Sequence, residues 1–114
     1  MRKIEQQMNT AIANSINWQS ANTAVTFDEQ SEVSRVYLHG NHIATIGEGF
    51  IELYDGGWQS NTTKSRLNAI LESNGLPGER VYQKAFVWCV RLQDGTSIPF
   101  FSGCLLYTSD AADE

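Results

Sequence analysis

Apolar residues recur at helical spacing in two segments of the chain. In residues 2–16 they fall 3.6 positions apart while polar residues face away, which predicts an amphipathic helix. A second helix is predicted to begin at Thr62 or Thr63 and to stop at Gly75 and Pro77, which are common helix terminators. The apolar positions of the two helices are Ile4, Met8, Ala11, Ile12 and Ile16, then Leu67, Ile70 and Leu71.

Between and after these helices the apolar pattern changes to the period of two that is typical of β-strands. A hairpin turn is expected at Gly40-Asn41, and Pro99, which lacks a backbone N–H, places the last strand at a sheet edge. The order α-β-β-β-β-α-β-β predicts an α+β fold, with two helices packed on one face of an antiparallel sheet of about five to six strands. The predicted strands are residues 23–27, 33–39, 42–46, 50–54, 81–92 and 97–101.

Composition excludes several classes of protein. The 114 residues are enough for one domain, and the hydrophobic fraction of 41% is ordinary for a globular protein. No apolar run reaches the roughly 18 residues of a membrane span, and residues 1–7 lack the apolar core of a secretion signal, so we expect a cytoplasmic protein without a membrane partner. The eight basic residues are scattered along the chain, which argues against duplex DNA as a partner.

Reactive side chains form no catalytic or metal-binding motif. The chain has two cysteines and two histidines without metal-ligand spacing, so neither a metal nor a cofactor is expected. Cys89 is interpreted as a small buried hydrophobe, and Phe86, Trp88 and Val90 as one strand face that packs in the core or an interface. No nucleophile–base pair is present. The sequence therefore favours a non-enzymatic protein and names no catalytic residue.

Residues 55–67 combine features of a phosphate-and-base site. Gly57 allows a close backbone approach, and Trp58 offers a flat surface for a base. Hydroxyl groups follow at the start of the second helix, where free N–H groups attract anions, and two cations lie beside them. The predicted ligand-binding residues are Gly57, Trp58, Thr62, Thr63, Lys64 and Arg66. The alternative is an ordinary glycine turn followed by helix capping.

His39 and His42 flank the predicted hairpin turn. Imidazoles can contact a ligand or move protons near neutral pH, so these two residues are further ligand-binding candidates that could close the site from a neighbouring strand or subunit. The alternative is that one or both are solvent-facing turn residues.

The last eleven residues resemble the in-frame translation of a transposon-end adapter used in DNA library preparation. The similarity covers Cys104-Leu-Leu-Tyr-Thr-Ser-Asp-Ala-Ala-Asp-Glu114 without a gap. We therefore expect residues 1–103 to form the single domain and residues 104–114 to be a non-native tail. The whole chain has 8 basic and 13 acidic residues; without the tail's three acids the charge is 8 − 10 = −2.

Two stretches of the chain, Leu38-His-Gly-Asn-His-Ile-Ala44 and Gly57-Trp-Gln-Ser-Asn-Thr-Thr-Lys-Ser-Arg-Leu-Asn68, resemble small accessory proteins of tailed bacteriophages. Small phage proteins of this kind commonly act against host defence. The resemblance implies a binding protein in the host cytoplasm, with an oligomeric sponge for a phosphorylated, cyclic nucleotide signal as the leading hypothesis. The alternatives are a module that inhibits a host defence protein, and a single-stranded nucleic-acid binder that stacks bases on Trp58 and Tyr54.

Overall fold

The computed structural model describes residues 1–108. In this range the chain forms two helices and nine strands. The helices are α1 (Lys3–Asn14) and α2 (Asn61–Asn74). The strands are β1 (Trp18–Ser20), β2 (Thr23–Asp28), β3 (Val33–Leu38), β4 (Asn41–Gly47), β5 (Phe50–Leu53), β6 (Arg80–Lys84), β7 (Val87–Arg91), β8 (Ser97–Pro99) and β9 (Cys104–Tyr107).

The strands form two antiparallel sheets. The large sheet has the order β1-β2-β3-β4-β5-β9, and the small sheet has the order β6-β7-β8. The predicted α+β class with two helices is confirmed, and the large sheet has the upper number of strands that the sequence indicated. The small sheet is a separate layer rather than a continuation of the first. Pro99 lies in the edge strand β8, as predicted.

Helix α2 joins the two sheets. It contacts β4 of the large sheet and β6 of the small sheet, while α1 contacts β1 and β2. Asn68 fixes the second contact, because its side chain accepts from the N–H of Val81 at 2.8 Å and donates to the C=O of the same residue at 2.9 Å. One hydrophobic core results, and it includes Met8, Ile12, Val25, Val36, Ile51, Leu53, Leu67, Ile70, Leu71, Val81, Trp88 and Val90.

The predicted strand over residues 81–92 is wrong, because the chain reverses in its middle. β6 and β7 form a hairpin whose two-residue turn is Ala85-Phe86, with φ angles of 51° and 67°. Such turns usually contain asparagine or glycine, and neither is present at these two positions, so no turn was predicted here. Cys89 is half-buried rather than buried, whereas Trp88 and Val90 face the core.

Two further elements differ from the sequence prediction. The turn between β3 and β4 is His39-Gly40, with φ angles of 53° and 79°, and Asn41 is the first residue of β4. Trp18–Ser20, which lies before the first predicted strand, forms strand β1.

Residues 104–107 belong to the folded chain. They pair with β5 as β9, and the side chains of Cys104 and Leu106 are buried in the core. The prediction that residues 104–114 are a non-native tail concerns their origin and stays a prediction. Residues 109–114 of that segment lie outside the described part of the chain.

A buried ion pair holds α1 and α2 together. Arg66 Nη1 of α2 lies 2.8 Å from Glu5 Oε2 of α1, and both side chains are almost completely buried. The guanidinium also donates through Nε to Thr23 Oγ1 at 2.9 Å and through Nη2 to Asn22 Oδ1 at 3.3 Å. Ser65 Oγ donates to the Glu5 carboxylate at 2.6 Å. Burial alone would raise the pKa of Glu5, but these hydrogen bonds and the nearby guanidinium outweigh it and lower that pKa.

We expect Arg66→Met to lower the free energy of unfolding by about 3–5 kcal/mol, because the variant leaves the Glu5 carboxylate buried without its cation. Urea denaturation followed by circular dichroism measures the loss. The double variant Glu5→Leu/Arg66→Met should recover much of it, since no buried charge is then left unpaired. A single-variant loss below about 1 kcal/mol, the range of an exposed ion pair, would show that the pair does not hold the helices.

Candidate functional site

Capping accounts for two of the four polar residues that begin α2, Ser60 and Thr63. Ser60 is the N-cap residue, and its Oγ accepts from the N–H of Thr63 at 3.1 Å. Thr63 is buried, and its own hydroxyl donates to the C=O of Trp58 at 3.3 Å. The N–H of Gly57 donates to Asp55 Oδ1 at 2.8 Å. These contacts match the capped turn that stood as the alternative to a ligand site. Thr62 is half-buried beside them.

Three of the predicted site residues do share a cavity. His39, Trp58 and Thr63 line a space of about 290 Å³ between the β3–β4 turn and the loop before α2. Its other polar lining comes from Asn41, Asp55 and Ser60. Asp55 is acidic, and none of the lining residues is lysine or arginine. The cavity therefore lacks the cations that the predicted phosphate site requires.

Lys64 and Arg66 lie elsewhere. The guanidinium of Arg66 is 3% exposed and is bound to Glu5, Thr23 and Asn22, so it presents no donor to a ligand in solvent. Lys64 Nζ lies 6.0 Å from the centroid of the Trp88 ring and borders a larger groove on the other side of α2's first turns. The helical period of the sequence could have predicted that Arg66 is buried and Lys64 is not. Positions 63, 66, 67 and 70 fall on one buried face of α2, and position 64 does not.

His42 is held in an aromatic stack on the large sheet. Its ring centroid lies 4.4 Å from that of Tyr54 and 5.6 Å from that of Tyr37. Its Nε2 is 2.9 Å from the C=O of Ala44 and 2.8 Å from Thr45 Oγ1. Burial lowers the pKa of His42. The ring packs against these two tyrosines, whereas His39 is exposed at the turn. That the two histidines contact a ligand stays a prediction.

Several large apolar side chains are exposed on the β6–β7 hairpin, on the loop before α2 and on the loop before β9. Phe86 is 93% exposed, Trp58 is 74% exposed and Phe101 is 57% exposed, and more than half of Val87 is exposed. We call these four residues the aromatic patch. The sequence predicted a ligand-binding role for Trp58, but it placed Phe86 on a strand face with Trp88. For Phe101 it predicted only a position in the last strand.

An aromatic contact and two hydrogen bonds link the segments that carry the residues of the aromatic patch. The rings of Trp88 and Phe100 pack edge to face with centroids 5.3 Å apart, and the N–H of Phe100 donates to the C=O of Trp88. Ser102 Oγ donates to Asp55 Oδ1 at 3.1 Å. Residues 100–102 therefore connect the β6–β7 hairpin, which carries Phe86, to the loop that carries Trp58.

The turn that carries Phe86 is strained. Both of its residues have positive φ, which costs an L-residue roughly 1–2 kcal/mol relative to the right-handed region. Asparagine and glycine would relieve the strain, yet the chain has alanine and a nearly fully exposed phenylalanine. Nothing in the packing of the domain explains this choice, and strained backbone of this kind is commonly found at functional positions.

Two negative findings apply to the described residues. Within residues 1–108, no group of three or more His, Cys, Asp and Glu side chains is arranged to hold a metal ion. Neither helix in this range is long and apolar enough to cross a membrane.

Fold and surface together define a small α+β protein with an exposed aromatic patch. Comparison with known proteins gives its family: the model of the Kyanoviridae Gp96 protein matches residues 1–107. Because the match covers nearly the whole chain, the protein belongs to this bacteriophage family. No curated protein and no solved structure matches the chain with significant similarity.

We expect the double variant Ala85→Asn/Phe86→Gly to raise the free energy of unfolding by about 1–2 kcal/mol, because both residues tolerate positive φ. Urea denaturation measures the change. Phe86→Ala alone keeps the strain and should change stability by less than about 0.5 kcal/mol, since the ring is exposed. Destabilisation by the double variant would mean that Phe86 packs on its own domain.

We expect stability to fall as the pH drops from about 7 to 5, in part because of His42. Its unfolded pKa is about 6.5 and burial lowers the folded value, so the unfolded chain binds the proton first and the stabilisation is lost on acidification. Urea titrations across this range should show a smaller fall for His42→Gln. The control His39→Asn leaves His42 intact and should retain the fall. An unchanged slope in His42→Gln would contradict the assignment.

Proposed function

We propose that the chain is a non-enzymatic accessory protein of the phage that binds another protein through the aromatic patch. The observation that carries the proposal is Phe86, a nearly fully exposed aromatic side chain on a strained turn. Membership of a bacteriophage family supports an accessory role during infection, and the proposed partner is a host protein, met in the host cytoplasm. Inhibition of a host defence factor is the activity that this arrangement would serve.

The size of the patch suits a protein contact. A whole aromatic side chain has about 150–250 Å² of surface, so the exposed parts of Trp58, Phe86 and Phe101 amount to roughly 400–500 Å². This is comparable to the largest apolar patch of a typical monomer, which is about 300–600 Å² and often functional. Tryptophan and other aromatic residues near the centre of an interface commonly supply most of the binding energy.

Charge around the patch indicates what kind of partner would fit. Lys84 is exposed next to the Ala85-Phe86 turn. We therefore propose a partner surface with an apolar pocket for Phe86 and an acidic rim, since complementary charges favour association and discriminate against wrong partners.

A nucleotide sponge is the second candidate. The cavity shared by His39, Trp58 and Thr63 supports it, although about 290 Å³ is at the lower limit for ligand pockets. The burial of Arg66 and the distant position of Lys64 remove the proposed phosphate contacts from this cavity. The sponge would need cations from a neighbouring subunit, and so a homo-oligomer. A single-stranded nucleic acid is less favoured, because one face of the Tyr54 ring is covered by His42.

Affinity capture from host lysate, followed by binding measurements with the purified partner, tests the proposal. We expect one stoichiometric host protein, with Phe86→Ser and Trp58→Ser each weakening its binding by a factor of about 30 or more, as for interface hot spots. Ile16→Ser is the matched control, because Ile16 is an exposed apolar residue outside the patch and its loss should leave the affinity unchanged.

Two outcomes would contradict the protein-binding proposal. One is that no host protein is retained, and the other is that the retained protein binds the patch variants as tightly as it binds the wild type. A nucleotide that co-purifies with the chain and raises its melting temperature would favour the sponge. Binding to short single strands that falls steeply with salt would favour the nucleic-acid alternative.

A further inference from the structure

A groove lies between α2 and the small sheet, and none of its residues belongs to the aromatic patch. Its volume of about 750 Å³ is within the roughly 300–1,000 Å³ range of ligand pockets. One wall is the exposed side of α2, the other is formed by β6 and β7, and the loop of residues 75–79 closes one end.

Three cations border this groove. They are Lys64 on α2, Arg80 on β6 and Arg91 on β7, so the fold gathers side chains that are up to 27 positions apart in the sequence. Lys64 lies over the Trp88 ring, and Arg91 Nε donates to the C=O of Gly78 at 3.2 Å. Both contacts limit the freedom of these two side chains, which lowers the entropic cost of holding an anion.

The carboxylates of the groove do not neutralise these cations. Within residues 1–108, the only ion pairs closer than 4.0 Å are Arg35–Asp28 and Arg66–Glu5. Of the three carboxylates that line the groove, Glu5 is committed to Arg66, and Glu79 accepts from the N–H of Leu76 at 2.8 Å. The third, Glu72, is exposed and forms no ion pair within residues 1–108. Burial raises the pKa of Glu79, which makes its negative charge less favourable. With Glu5 paired to Arg66, the groove contains three cations and two carboxylates, and none of the three cations has a carboxylate within 4.0 Å, so their charges are available to an anion.

From this geometry we infer that the groove is a binding site for a compact phosphorylated small molecule, such as a pyrophosphate or a nucleoside diphosphate. Arginine recognises phosphate through two parallel N–H donors, and lysine adds a point charge. No aromatic side chain lines the groove, so recognition rests on the charged phosphates rather than on stacking of a base. The exposed Asn61 adds an amide at the end nearest Lys64.

Isothermal titration calorimetry with pyrophosphate, ADP and citrate tests the inference. We expect pyrophosphate and ADP to bind, and Arg80→Gln/Arg91→Gln to weaken both by about tenfold or more, because charge-assisted hydrogen bonds are lost. Arg2→Gln/Lys84→Gln removes the same charge from exposed positions outside the groove, and it should change affinity by less than about twofold if the effect is local. Citrate reports whether phosphate or any polyanion is recognised, and binding equal to that of pyrophosphate would overturn the phosphate assignment.

The remaining outcomes are also decisive. No binding of pyrophosphate or ADP by the wild type at millimolar concentration, or equal weakening in the two double variants, would overturn the site. If Arg80→Gln/Arg91→Gln fails to fold, Lys64→Gln replaces it, since Lys64 makes no ion pair in the described chain and should give a smaller loss in the same direction. Phe86→Ser should leave ADP binding unchanged, because Phe86 does not line the groove. The test of the groove is therefore independent of the test of the aromatic patch.

Discussion

The ion pair between Glu5 and Arg66 is the interaction on which the arrangement of the whole domain depends. It joins α1 to α2, and the guanidinium also holds Thr23 at the start of β2 and Asn22 before it. A buried charge is tolerated only when its partners surround it, so the two helices and the large sheet have one relative position in which this network is satisfied. No buried side-chain nitrogen or oxygen of the described residues is without a partner, which agrees with a network that is complete.

Helix α2 determines where the small sheet lies relative to the rest of the domain. Its inner face is fixed by Arg66 and the core residues Leu67 and Ile70, and its contact with β6 is fixed by the two hydrogen bonds of Asn68. The small sheet is therefore placed by α2 rather than by pairing with the large sheet. Both proposed surfaces depend on that placement. The groove is the space left between α2 and the small sheet, and the β6–β7 hairpin, which carries Phe86, contacts the first turn of α2 through Trp88 and Lys64.

Sequence patterns with a local physical cause were reliable. The two helices, the strand periodicity, the stop at Gly75 and the edge position of Pro99 all depend on residues within a few positions of each other. The turn at Ala85-Phe86 could not be found in this way, because neither residue favours positive φ and only the surrounding sheet enforces it. The phosphate site predicted over residues 55–67 counted Arg66 as an exposed cation, although its helical phase places it on the buried face with Thr63 and Leu67.

The sequence by itself determined the fold class and the amphipathic faces, because backbone propensity and hydrophobic period act over short distances. Only the tertiary structure decided which charges are available to a ligand. Lys64 and Arg66 are two residues apart, yet one borders an open groove and the other is buried against a carboxylate 61 positions away. The availability of a charge depends on desolvation and on long-range partners, and neither is encoded in the spacing of neighbouring residues.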